Sequence, residues 1–193
     1  MKHMNKFPSW SREYAQERAT AGPRPGQLLR QAVYKNNSEI FIAGGYTTES
    51  GNQVTIPADD PMLAGTKVYS AAFDVNEVPV CTDFVSTEVA NLDCLMAARE
   101  LQASGYNPAV MNLADAYTAC GWYKKGSRAQ EEALCRATTL SRSLFQFFKP
   151  KSGKKDRYAV EANISLKDTA YPMDRNFGGI YSPGVTVFRN TAD

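Results

Sequence analysis

Between Cys120 and Glu132 the chain reads Cys-Gly-Trp-Tyr-Lys-Lys-Gly-Ser-Arg-Ala-Gln-Glu-Glu. A glycine-bearing loop that runs into a helix N-terminus delivers backbone N–H groups to an anion, and Lys124, Lys125 and Arg128 add positive charge there. Such a junction suits a phosphate. Trp122 and Tyr123 could stack on a base or a ribose, although aromatic loop residues also pack onto cores. A plainer reading stays open. Ser127, followed three residues later by Gln130, spells a capping box, and Glu131 and Glu132 in a first turn complement the helix dipole, so the string could serve only to start a helix.

Composition removes other chemistries. The single histidine, His3, lies in an N-terminal Met-Lys-His-Met stretch, which takes away Ser-His-Asp, Cys-His and His-ligated metal chemistry. Cys81, Cys94, Cys120 and Cys135 never fall at the C-x-x-C spacing of a zinc site or redox pair and read as buried free thiols. No cofactor and no metal are expected. A net charge of +2 is too small to steer the molecule onto nucleic acid or an anionic membrane in bulk, so no sequence-specific nucleic-acid partner is expected. No run approaches the roughly 18 apolar residues of a membrane span. The expectation is a soluble, cytoplasmic protein. With 193 residues and 43% of them hydrophobic, one domain with a real core is the default.

The elements that must position the loop are read from periodicity. Residues 9–20 read as a surface helix closed by the turn Gly22-Pro23-Arg24-Pro25-Gly26, and Ile40-Phe41-Ile42, Val54-Thr55-Ile56 and Val68-Tyr69 as brief strands between glycine-bearing turns. Lys149 to Lys155 reads as a flexible basic loop. The middle is more regular. Phe84 to Val89 predicts a strand, Asp93 caps a helix through Ser104 that Gly105 stops, Ala109 to Leu113 predicts a second strand, and Arg128 to Phe148 a helix with Ala133, Ala137, Leu140, Leu144 and Phe148 on one face. This βαβα order implies parallel strands with ligands at their carboxyl ends, where Asp93, Asn112 and the loop from Leu113 to Ser127 fall.

On these residues a family resemblance becomes visible. Asn107 to Ala116, with Gly126-Ser127-Arg128-Ala129-Gln130-Glu131-Glu132-Ala133 and the residues through Leu140, resembles the microbial type of poly(ADP-ribose) glycohydrolase, a macrodomain relative. Val89 to Ala98 and Gly179 to Arg189 look like the segments flanking that signature. The resemblance implies a three-layer α/β/α fold with a mixed, largely parallel sheet. It divides the chain into an N-terminal helical and short-strand region, 1–84, leading into an ADP-ribose-binding core, 85–193, within one continuous domain. It also implies hydrolysis of ADP-ribose chains or ADP-ribosylated protein. Glu132 would then be the catalytic acid/base and Glu131 would hold ribose hydroxyls. Asn112 would bond the distal ribose and Asp93 the adenine amino group, with Gly121, Trp122, Gly126, Ser127 and Gln130 also at the ligand.

Two departures temper this. The family's glycine triplet reads Cys120-Gly121-Trp122, so Trp122 either widens the loop or fills part of the pocket. The family also continues past the segment ending near Arg189, so a truncated fold, with self-association or a partner through an apolar C-terminal edge strand, is expected. A non-catalytic ADP-ribose-binding module, or an incomplete scaffold needing a partner chain, is the alternative.

Overall fold

The computed structural model describes residues 23–72, 74, 76, 85–149 and 157–189. The helix expected at 9–20, Phe84, Cys81 and most of the basic loop after Lys149 lie outside them. Helix α1 runs Pro23–Ala43. The Pro-Arg-Pro-Gly string that reads as a turn is therefore the first turn of a long helix, where proline's missing N–H costs nothing. Ile40-Phe41-Ile42 is its last turn rather than a strand, with Ile40 and Phe41 buried and Ile42 exposed.

Strands β1 (Gly45–Thr47) and β2 (Gln53–Thr55) form an antiparallel hairpin. Helix α2 (Pro61–Gly65) is capped by Asp60, and β3 (Lys67–Tyr69) pairs antiparallel with β4 (Gly179–Tyr181), placing Val68 opposite Ile180. Helix α3 (Cys94–Ala103) begins as expected, with the Asp93 carboxylate accepting from Leu95 N and Met96 N. Gly105 follows its end at φ 88°.

The parallel βαβα unit is not what the described residues form. Residues 85–92 and 106–115 make no strand ladder, and Val85, Val89, Met111 and Leu113 stand exposed. A strand buried on both faces needs neighbours on both sides, and none of the described segments pairs with these two in a ladder. Part of the missing pairing is supplied by a side chain: Gln130 Oε1 accepts from Leu113 N and its Nε2 donates to Met111 O, at 2.8 and 3.0 Å. Gln130 thus bonds alternate residues of one extended segment as a neighbouring strand would.

The long helix expected from Arg128 to Phe148 is two helices, α4 (Gln130–Ala137) and α5 (Leu140–Phe145), with α6 (Arg157–Glu161) following. At the break, Thr138 Oγ1 bonds Leu134 O while accepting from Leu140 N, and the Ala137 carbonyl accepts from Phe188 N and Arg189 N. β-Branched residues and a competing C-terminal backbone displace the helical ladder. The apolar stripe survives the break. Ala137, Leu140, Leu144 and Phe148 are all buried. The main core joins Tyr34 of α1 to Ala119, Cys120, Tyr123, Leu134, Cys135, Phe145, Phe148 and Tyr171, so α1 packs directly behind the loop that precedes α4.

Buried Arg142 ties α5 to the turn before α2, donating to Pro57 O, Ala58 O and Ala162 O and pairing with Asp60 at 3.4 Å. Tyr34, Lys124 and Arg157 all donate to the Glu161 carboxylate, and the Lys124 ammonium lies over the rings of Tyr34 and Tyr158. These networks hold α1, α6 and the loop as one support. Among the described residues no helix is long and apolar enough to cross a membrane.

Candidate active site

The loop from Ala119 to Ser127 is built around two left-handed residues. Cys120 and Gly121 have φ of 60° and 52°, after which a short 3₁₀ turn, Tyr123–Lys125, ends on Gly126 in the left-handed region. At Trp122 the backbone returns to φ −102°, which any L-residue adopts. That explains how the glycine triplet can degenerate. Of residues 120–122, Gly121 is the one where a side chain would press on the glutamates: a Cβ there would sit 2.7 Å from Glu132 Oε1 and 3.3 Å from Glu131 Oε2. The indole of Trp122 is exposed, with the Lys125 ammonium 4.1 Å from its ring centroid.

Glu131 and Glu132 occupy the first turn of α4 and are nearly fully buried, at 2% and 4% exposure. Consecutive helical residues diverge by about 100°, so the two carboxylates meet different partners. Glu131 Oε2 accepts from Asp115 N at 2.9 Å, and its Oε1 has a long contact, 3.5 Å, from Asn112 Nδ2. Glu132 Oε1 accepts from Trp122 N at 2.9 Å. Glu132 Oε2 and Asn112 Oδ1 are buried and have no hydrogen-bond partner among the described residues. Buried acceptors are rarely left unpaired, so each of these oxygens has capacity for a further donor.

Burial is the main influence on Glu131 and pushes its carboxyl up to about 7. The N–H donors of Asp115 and Asn112 pull the other way, and the neighbouring charges of Glu132 and Asp115 push up further. A carboxyl poised there is half protonated at neutral pH. It can donate to one oxygen and accept from another.

The remaining sequence candidates divide. Gly121, the Trp122 backbone, Asn112, Glu131 and Glu132 come together. Gly126 instead packs under α1: its carbonyl accepts from Arg30 Nε at 2.6 Å, and a Cβ on it would stand 2.5 Å from Gln27 O. Ser127 does not cap α4, whose N-cap is Ala129 with no side-chain bond; the Ser127 carbonyl accepts from Arg136 Nη1 instead. The capping box is therefore not formed. Gln130 faces Met111 and Leu113, with Cys94 Sγ at 4.0 Å, so it braces the site from behind. Asp93 is an exposed helix cap one residue before Cys94. Tyr123 is buried with its hydroxyl bonded to Asn37, so it cannot stack on a base, and Lys124 is committed to Glu161. Cys120 and Cys135 are buried free thiols, as expected, and Cys94 is half-buried. Sequence reasoning missed Asp115. Its carboxylate bonds Tyr117 N and Thr118 N, and the signal was the Asp-x-x-Thr string that such turns favour.

Comparisons with known proteins point to one family. The family model for the microbial-type PARG catalytic domain matches residues 35–190. The crystal structure of poly(ADP-ribose) glycohydrolase from Thermomonospora curvata is 30% identical with a TM-score of 0.63, over 83% of this chain and 57% of that one. The structure of that enzyme bound to the inhibitor ADP-HPD is 29% identical with a TM-score of 0.57, over 83% and 55%. The present chain thus spans little more than half the length of these structures. A search of curated proteins found no match. The matched fold and the length of the family match, taken with two buried glutamates opening a helix against a glycine loop, place this chain in the microbial-type poly(ADP-ribose) glycohydrolase catalytic-domain family.

Proposed function

We propose that this chain is an ADP-ribosyl hydrolase that cleaves the O-glycosidic ribose bond of poly(ADP-ribose) or of ADP-ribosylated protein. The observation that carries the reading is the pair of buried carboxylates converging on Gly121, with Glu132 Oε2 and Asn112 Oδ1 left for a ligand's donors. In this reading Glu132 is the acid/base. It donates a proton to the departing ribose oxygen as an oxocarbenium-like centre develops, and then takes one from the attacking water. Glu131, with its carboxyl near neutrality, holds ribose hydroxyls as donor or acceptor. In the same reading Asn112 bonds the distal ribose and Asp93 the adenine amino group. The Trp122 N–H sets the Glu132 carboxylate through its backbone, so replacing glycine by tryptophan preserves that bond.

The macrodomain-like three-layer fold, with its largely parallel sheet, belongs to the same proposal, as does the division into a leading region, 1–84, and a core, 85–193. So does a partner chain or second copy joined through the C-terminal edge strand, which mass in solution reads; of the segment expected to form that strand, only Gly179–Tyr181 does, with one edge on β3, while Phe188 and Arg189 are buried against Ala137. The free thiols of Cys120 and Cys135 favour a reducing, cytoplasmic setting.

Release of ADP-ribose from poly(ADP-ribose) and from ADP-ribosylated protein, compared with Glu132→Gln, tests the function. Loss of release with retained ADP-ribose affinity supports the assignment, and unchanged release overturns it. The exposed Trp122 at a glycine position specifically favours a second reading, a non-catalytic ADP-ribose binder. Calorimetric binding without turnover by the unmutated chain would select it.

A further inference from the structure

Asp115 makes three hydrogen bonds that bear on both glutamates. Its backbone N–H donates to Glu131 Oε2 at 2.9 Å. Its Oδ1 accepts from Tyr117 N at 2.7 Å and Thr118 N at 2.9 Å, fixing the turn over 115–118. The Thr118 carbonyl then accepts from Gly121 N at 2.9 Å, and the next residue, Trp122, donates to Glu132 Oε1. The far side of the turn is held by Met173 N on Ala116 O, at 2.8 Å. The chain of contacts is short, and every link in it is a backbone donor or the Asp115 carboxylate. We propose that Asp115 is the positioning residue of the carboxylate pair, seating Glu131 directly through its N–H and Glu132 indirectly through the turn that delivers Gly121 and Trp122.

The argument is one of geometry. The left-handed pair Cys120-Gly121 has few ways to be held, because αL costs a non-glycine residue roughly 1–2 kcal/mol and something outside it must fix it. An aspartate bonding N–H groups two and three residues ahead supplies that constraint at the loop's entry. Asparagine offers the same side-chain oxygen, whereas alanine offers none. Asp115 itself contacts no ligand in this scheme.

The catalytic half of the test rests on the hydrolase reading; the structural half does not. In the ligand-free full chain, the amide resonances of Gly121 and Trp122 are compared between the unmutated protein, Asp115→Asn and Asp115→Ala. Asp115→Ala is expected to move both resonances and Asp115→Asn to leave them nearly in place. In the release assay, Asp115→Ala should lower kcat by about 100-fold, the scale of a displaced catalytic group, with a much smaller change in KM. Asp115→Asn should restore most of kcat. If Asp115→Ala proves unfolded by circular dichroism, Asp115→Ser takes its place, with a shorter oxygen that bonds more weakly and an intermediate kcat. Unmoved Gly121 and Trp122 amides in Asp115→Ala would overturn the proposal, as would an asparagine variant as impaired as alanine. An unmutated chain that releases no ADP-ribose refutes the hydrolase reading instead, and the amide resonances still decide the role of Asp115.

Discussion

Glu131→Gln should change how stability depends on pH, in a direction the structure fixes. The carboxyl titrates near 7 in the fold against an ordinary 4.5, so the native state holds the proton more tightly than the unfolded chain does. This favours the fold fully while both states are protonated, below about pH 4.5, and the benefit is lost as pH rises through 7. Each unit is worth about 1.4 kcal/mol, so the loss approaches about 3 kcal/mol, and solvent entering the site brings it to on the order of 2 kcal/mol. Glutamine removes the titration. It also fits: its oxygen can keep the Asp115 N–H bond, and its NH₂ can meet Asn112, whose Oδ1 has no partner. Calorimetric melting of both proteins without ligand, from pH 4.5 to 8.5, is the assay. At about 2–4 °C per kcal/mol for a chain of this size, the variant should gain on the unmutated protein by about 4–8 °C across that range. Glu161 and Asp174, both held below their ordinary values by hydrogen bonds, lose stability toward acid in both proteins and cancel in the difference. Parallel melting curves for the two proteins would refute the raised carboxyl and, with it, the account of how Glu131 serves ribose hydroxyls.

Gly121→Ala should cost about 1–2 kcal/mol for the left-handed backbone and displace both carboxylates, so denaturation shows a modest loss while ADP-ribose release collapses. Gly126→Ala, whose Cβ would strike the Gln27 carbonyl, should lower the unfolding midpoint far more than it lowers ADP-ribose affinity; the reverse ranking would make Gly126 a ligand contact. Asp93→Ala removes a helix cap worth about 1 kcal/mol, and an ADP-ribose titration that changes well beyond that would support the adenine role. Arg142→Met leaves the Asp60 carboxylate and three carbonyls without their buried donor and should cost on the order of 3–5 kcal/mol by chemical denaturation, the most of this set.

The glutamate pair was legible because its signal is local. Two consecutive glutamates opening a helix behind a glycine loop leave few other arrangements, and the structure buries both against Gly121. Asp93 as a cap and Gly105 as a stop were readable for the same reason. Tyr123 was not, because whether an aromatic in a loop faces ligand or core depends on α1, whose Asn37 lies 86 residues earlier in the chain. The packing of Gly126 was out of reach likewise, since the backbone that crowds it belongs to Gln27. The two expected strands failed on the same principle. Apolar alternation shows what a segment could pair with, but pairing needs a neighbour, and at Met111 and Leu113 the Gln130 side chain stands in for one among the described residues.

The break at Thr138-Thr139 shows why the long helix could not be read correctly. Its apolar stripe is continuous across the break, so periodicity sees one helix. What interrupts it is a partner about fifty residues later by chain order, as Phe188 N and Arg189 N take the Ala137 carbonyl and Thr139 N donates to Thr186 O. Arg189 then reaches past the break to Asn36 and Asn37 of α1, and Asn37 Nδ2 bonds Arg136 O in the last turn of α4. The C-terminal segment therefore sets where α4 ends. With its C-terminus fixed in this way and its N-terminus braced by Gln130, the eight-residue α4 presents Glu131 and Glu132 from a support anchored at both ends.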